Sequence, residues 1–273
     1  MRESVVASKG PGRVGGDASG PVWTPPDAPG EASGPSQWTT RLIELRDETP
    51  TVRTFFFEPP RAGFSFRAGQ YVVVRISGLT DPRGDSRTFS IASAPSDRGV
   101  VAVTTRRGPS PFKRRLFESG PGTPFELWGP FGDFVPARDR PAVLLGGGIG
   151  ITPFRSMLRQ AAFERSAVPI RLLYSSHTPE ELIYRGEFEE LARRWAGFRP
   201  TLLVSGAAPG ATGWRGETGR IDAPLVHRES RGIDHPLYYI CGPPTMVKEL
   251  RGILVRDADV PAGEVRTEAF QGY

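Results

Sequence analysis

The chain has 273 residues, a net charge of +5 at pH 7 and a single cysteine. That length allows one large or two medium domains; Cys241 alone rules out an internal disulfide and a cysteine-held iron–sulfur cluster, and His177, His227 and His235 are too few for a zinc site built of several Cys and His. No run of about 18 apolar residues is present to span a membrane, and the start, MRESVVASKG, lacks the apolar core of a signal peptide, so the cytoplasm is the simplest compartment.

A basic balance, with a pI of about 9.7, is compatible with nucleic acid, a membrane surface or an acidic protein partner. Arginine supplies nearly all of the basic residues and is scattered along the chain; the one local concentration is RRGPSPFKRR, Arg106 to Arg115.

Residues 1–37 are rich in Gly, Pro, Ser and Ala without any period, which predicts a disordered tail. From Trp38 the pattern changes to short β-branched and aromatic runs separated by turn residues: TVRTFFFE, QYVVVRIS, RTFSIAS and VVAVTTRR. These predict an antiparallel barrel or sandwich. SPFKRRLFES predicts one helix starting at Ser110, and TPFELWGPFGDF returns as a strand with a glycine-rich turn.

From about Pro141 the rhythm is strand–helix–strand. PAVLLGG, PIRLLYSS, RPTLLVSG and HPLYYICG read as strands, with helices from about Pro153 to Glu164, over EELIYRGEFEELARRW and over PPTMVKELRGILV. Such alternation predicts a mostly parallel, doubly wound sheet. The fold expectation is therefore a two-domain α+β chain: a tail over 1–37, an antiparallel β domain, barrel or sandwich, over 38–137 and a doubly wound α/β domain over 138–273.

Glycines crowd the first α/β junction, LLGGGIGITPF, at Gly146, Gly147, Gly148 and Gly150. In doubly wound folds ligands sit at the carboxyl ends of strands. A helix opening there offers free N–H groups to a phosphate, and glycine removes the Cβ that would hold the phosphate away. Residue 151 is Ile, so this is not the strict dinucleotide fingerprint, and no acid ends PIRLLYSS to hold a ribose. A tight turn without a ligand is the alternative.

Five motifs in order, RTFS, GPSPF, GPFGDF, GGGIGITP and CGPPTM, resemble the ferredoxin–NADP reductase superfamily over residues 38 to 273. The resemblance implies FAD, or less often FMN, in the barrel and NAD(P)H in the α/β domain. It implies that Arg87 pairs with the flavin pyrophosphate, that Thr88 and Phe89 lie along the flavin, and that the Ser90 hydroxyl sits near the reactive flavin nitrogen. Arg106, Gly108 and Ser110 match the second pyrophosphate segment. Gly147, Gly148, Gly150, Thr152 and Pro153 match the nucleotide pyrophosphate loop, and Ser175, at the end of the second α/β strand, is a further candidate nucleotide contact. Cys241, Gly242 and Pro243 would lie beneath the nicotinamide. Glu268 would handle protons, and Phe270 would stack on the isoalloxazine, with Tyr273 as its rival.

The reaction this implies is hydride transfer from NAD(P)H to flavin, and then electrons to a separate acceptor such as a ferredoxin or an oxygenase component. Arg106, Arg107, Lys113, Arg114 and Arg115 could attract an acidic one; a solvated helix face explains the same charges. Within enzymes the alternative is a reductase of free flavin or ferric chelates; outside them, a non-catalytic regulatory or assembly subunit. No nucleic-acid recognition motif, metal site or membrane span is expected. Ser205 is followed by Gly206 where NADP-using relatives carry an arginine, which leans to NADH, although Ser175, Ser176, His177, Arg215 and Arg220 leave NADPH open.

Overall fold

The computed structural model describes residues 35–60, 64–206 and 214–270. The expected disordered tail falls outside them up to residue 34, as does Tyr273.

The first half contains β1 (Ser36–Thr49), β2 (Val52–Phe57), β3 (Tyr71–Arg75), β4 (Ser86–Ser90), β5 (Val101–Arg106), α1 (Pro111–Glu118) and β6 (Pro124–Phe131). The strands form one antiparallel sheet in the order β4-β3-β6-β1-β2-β5. A bridge between Ile91 and Val103 ties its two edges together, which makes it a barrel. Alternation explains the closure: β6 buries every second residue, and Leu42, Phe55, Phe57, Val72, Val74 and Leu127 fill the interior. Helix α1 adds Phe112 and Leu116 to that core. Strand β1 carries no clean sequence signal, because its alternation holds only to Leu42 and two register shifts follow.

The second half contains β7 (Ala142–Gly147), a 3₁₀ turn (Gly148–Ile151), α2 (Thr152–Phe163), β8 (Ile170–Ser176), α3 (Arg185–Arg194), β9 (Phe198–Val204), β10 (Glu217–Thr218), α4 (Ala223–Ser230), β11 (Leu237–Gly242), α5 (Pro244–Gly252) and β12 (Val265–Ala269). All neighbours in the order β10-β9-β8-β7-β11-β12 are parallel. Strands β7 and β11 are central and buried at every position, as their continuous apolar runs require.

The helix expected across EELIYRGEFEELARRW is shorter. Tyr184 is left-handed (φ 61°), and α3 starts only at Arg185. The buried Tyr184 hydroxyl reaches out of its own half to Thr54 and Thr104 of the barrel, and that contact holds a conformation that costs a non-glycine residue about 1–2 kcal/mol.

Helix α2 bolts the halves together. Ser156 donates to the Ser93 carbonyl at 2.6 Å, and Arg155 donates to the Ala92 carbonyl at 2.9 Å and pairs with Glu187 at 2.8 Å. Arg159 pairs with Asp97 and Glu187. Arg155 is almost wholly buried, so its charge is tolerable only because both partners are present. Beneath these contacts one apolar cluster runs from Val52, Ala68 and Phe134 of the barrel side to Phe154, Met157 and Cys241.

Candidate active site

Two strand-to-helix junctions and one strand end meet along the seam between the halves. On the barrel side β4 carries Arg87 to Ser90. The Arg87 guanidinium is held by its own loop: Nη1 donates to the carbonyls of Arg83, Gly84 and Ser86, and Nη2 pairs with Asp81 at 2.8 Å. Asp81 also accepts the Phe112 N–H at the start of α1 (3.0 Å). Arg87 lies over the Phe112 ring at 5.0 Å, and Phe89 faces the same ring. Thr88 is exposed. Ser110 caps α1, its hydroxyl accepting the Lys113 N–H at 3.2 Å. Arg106, at the end of β5, pairs with Glu181 of the other half at 3.1 Å.

On the α/β side the glycine loop has mainly a packing reason. A Cβ on Gly150 would run into the Cys241 carbonyl and come within 2.6 Å of Gly242 Cα; on Gly147 it would strike Met246; on Gly146 it would crowd Phe154 at 3.3 Å. Of the four, only Gly148 faces open space, and its φ of 52° favours glycine. The Thr152 hydroxyl donates to the Ile149 carbonyl, and Pro153 is buried behind it. The loop is thus moulded onto the Cys241–Met246 segment, leaving one bare glycine and the opening turn of α2 for an anion. Ser175, one residue before the end of β8, is in register with Gly147. Gly206 presses against His177, which leaves no space for a longer residue there, and the Ser205 hydroxyl donates to the Ser176 carbonyl.

The third component is the end of β11 and β12. Cys241 is fully buried and in register with Gly146 on one side and Glu268 on the other. Burial, and then the Glu268 charge, push its thiol well above the ordinary range, so it is a neutral thiol. Burial, then Asp133, push the Glu268 carboxyl up to about 8. Glu268 Oε2 and Ser90 Oγ are both buried without a hydrogen-bond partner. Tyr71 connects them: it pairs with Ser90 across β3–β4, and Glu268 contributes to raising its hydroxyl, after burial. Phe270 donates its N–H to the Gly242 carbonyl and packs beside this cluster.

Two orphaned polar atoms at a seam are what a polar ring system would satisfy, so the residues fit a flavin. The fold brings Ser90, Cys241, Glu268 and the glycine loop to one place, with Arg87, Gly108 and Ser110 at the other end of β4. Sequence reasoning did not single out Asp81, Tyr71 or Asp133, because a carboxylate in a turn and a tyrosine opening a strand carry no signal until the strands pair. Among the described residues no cluster of His, Cys, Asp and Glu could hold a metal, and no helix is long and apolar enough to cross a membrane.

Comparisons with known proteins point the same way. Residues 144–252 match the family described as the oxidoreductase NAD-binding domain. Ferredoxin–NADP reductase B of Sorangium cellulosum is 34% identical over 243 residues, which cover 84% of this chain and 96% of that one. The reductase component of propane 2-monooxygenase from Mycolicibacterium goodii is 29% identical, over 85% of this chain and 67% of that one. Among solved structures, a ferredoxin NADP+ reductase from Neisseria gonorrhoeae with bound FAD and NADP superposes with a TM-score of 0.70 at 22% identity, over 85% of this chain and 98% of that one.

Proposed function

This chain belongs to the ferredoxin–NADP reductase family, and from that membership we propose how its own residues serve the reaction. It is a flavin-dependent NAD(P)H oxidoreductase that passes a hydride from NAD(P)H to FAD and electrons onward to a separate acceptor. The observation that carries the residue roles is the pair of partnerless buried atoms, Ser90 Oγ and Glu268 Oε2, with Glu268 in register beside Cys241.

In this reading residues 38–137 hold the flavin and 138–273 the nucleotide. Bound flavin supplies a ring that accepts a hydride and can release electrons singly. Ser90 aims a hydroxyl at that ring. Glu268, with a pKa near 8, keeps a proton at neutral pH and can give it up at the ring edge. Cys241 stays a neutral thiol; it forms the floor that sets the nicotinamide in line for transfer. Phe270 would lie against the ring and give way to nicotinamide. Gly148 and the start of α2 take the nucleotide pyrophosphate. The lack of space at Gly206 favours NADH over NADPH, because no side chain there can meet a 2′-phosphate. The acceptor is a ferredoxin or an oxygenase component in the cytoplasm, steered by the exposed Arg114 and Arg115.

Anaerobic mixing with each nucleotide tests this. The purified protein should be yellow and bleach, with a higher kcat/KM for NADH. Preference for NADPH by more than about tenfold overturns the nucleotide assignment. No bleaching with either, and no turnover with artificial acceptors, overturns the enzyme. Cys241→Ala should fold and keep its flavin yet bleach at least about tenfold more slowly; stopped-flow reduction at the wild-type rate would remove Cys241 from the site.

A further inference from the structure

Helix α2 starts at the glycine loop and grips the barrel one turn later. Arg155, Ser156, Arg159 and Gln160 share one face of it, by the four-residue spacing of a helix. All four hold the stretch that follows β4. Ser156 donates to the Ser93 carbonyl at 2.6 Å, Arg155 donates to the Ala92 carbonyl at 2.9 Å, Arg159 pairs with Asp97, and Gln160 accepts the Ser96 N–H at 2.9 Å. The barrel fixes the same stretch from its other side. Ile91 and Ala92 donate their N–H groups to the Gln70 and Ala102 carbonyls, and the Ser93 hydroxyl accepts the Ala102 N–H. Ser156 and Ser93 are both buried. A hydroxyl that deep is costly unless it is bonded, and alanine would pack there without that cost, so the bond accounts for the serine.

That bond stands between the two halves of the site. Ser93 lies three residues beyond Ser90, and Ser156 lies six beyond Gly150, which is moulded onto the Cys241 carbonyl. Two short, anchored pieces of chain and one hydrogen bond therefore connect Ser90 to Cys241. We propose that Ser156, with Arg155 beside it, is a positioning residue that sets the distance between the flavin face at Ser90 and the nicotinamide floor at Cys241. The inference rests on the flavin and nucleotide reading and deepens it. Ser156 touches neither ring; it acts through the Ser93 carbonyl, and hydride transfer is steeply sensitive to a misplacement of that kind.

The test is Ser156→Ala in the flavin-loaded chain. Reduction of the flavin at saturating NADH, followed by stopped flow, should slow at least about fivefold. Flavin content and the Kd of ADP-ribose, which carries the nucleotide diphosphate without nicotinamide, should stay within about twofold. Deuterium exchange across residues 91–97 should speed up, because the stretch loses one of its two anchors. Val143→Ala, which opens the far face of the same sheet, should leave the saturated rate near wild type. A loss in Ser156→Ala below about fivefold overturns the assignment, as does unchanged exchange or an equal loss in Val143→Ala. Ser156→Ala that comes without flavin or binds ADP-ribose poorly also overturns it, because the bond would then hold a cofactor site rather than the distance between two. Wild-type protein that never bleaches overturns the reductase reading itself, a result distinct from these.

Discussion

The two proposed anion cradles are built from opposite materials. The barrel cradle, between β4 and α1, is dense in charge: Arg83, Arg87, Arg106 and Lys113 gather there, with Asp81 and Glu181 set among them. The loop between β7 and α2 carries no charge from Gly146 to Pro153 and takes its shape from steric fit against Cys241, Gly242 and Met246. A resident cofactor and an exchanging one call for this difference. Full charges hold an anion through every turnover, whereas backbone N–H groups and a helix start bind a phosphate that must leave again.

The strongest way to break that contrast is Gly150→Ala. The new methyl would meet the backbone of a central strand, which cannot yield, so stability should fall by about 3 kcal/mol in denaturant unfolding. A loss below about 1 kcal/mol would mean the loop is not moulded onto that strand.

On the charged side, Arg87→Ala leaves the Asp81 carboxylate without its counter-charge and frees the loop carbonyls. A loss of about 2 kcal/mol is expected, and adding Asp81→Asn should recover part of it. Strictly additive losses in the double variant would show that the two side chains do not act on each other.

Between the cradles, Glu268 makes stability depend on pH. Its folded pKa, about 8, is raised from an ordinary 4.5, so the folded chain keeps a proton that the unfolded chain releases. Stability of flavin-free protein should therefore fall as pH rises between about 4.5 and about 8. Glu268→Gln should flatten that part of the curve. Parallel pH–stability curves for variant and wild type would place the carboxyl in water.

The smallest effect is expected at Gly148. Its φ is positive but the space around it is open, so Gly148→Ala should cost about 1 kcal/mol of stability. Its clearer signature is a raised KM for the nucleotide with flavin content unchanged; unchanged KM would mean the nucleotide does not approach this residue.

Much of this was legible in the sequence. The β-branched and aromatic runs in TVRTFFFE and QYVVVRIS pointed to an antiparallel barrel or sandwich, and unbroken apolar runs in PAVLLGG and LYYICG pointed to buried parallel strands, because side-chain composition and periodicity are local properties of the backbone. The five motifs named the family and pointed to Ser90 and Cys241, and the carboxyl-terminal TEAFQGY pointed to Glu268. Only the tertiary structure decided what occupies the space around them. It showed that three of the four loop glycines yield to neighbouring chain, that Tyr184 breaks a helix to reach the barrel, that Arg87 is answered by Asp81, and that Lys113 is answered by no carboxylate among the described residues. Each of these depends on residues brought together by the fold. A side chain's partner, and so its charge and its freedom, depends on strand pairing and helix docking that no local pattern encodes.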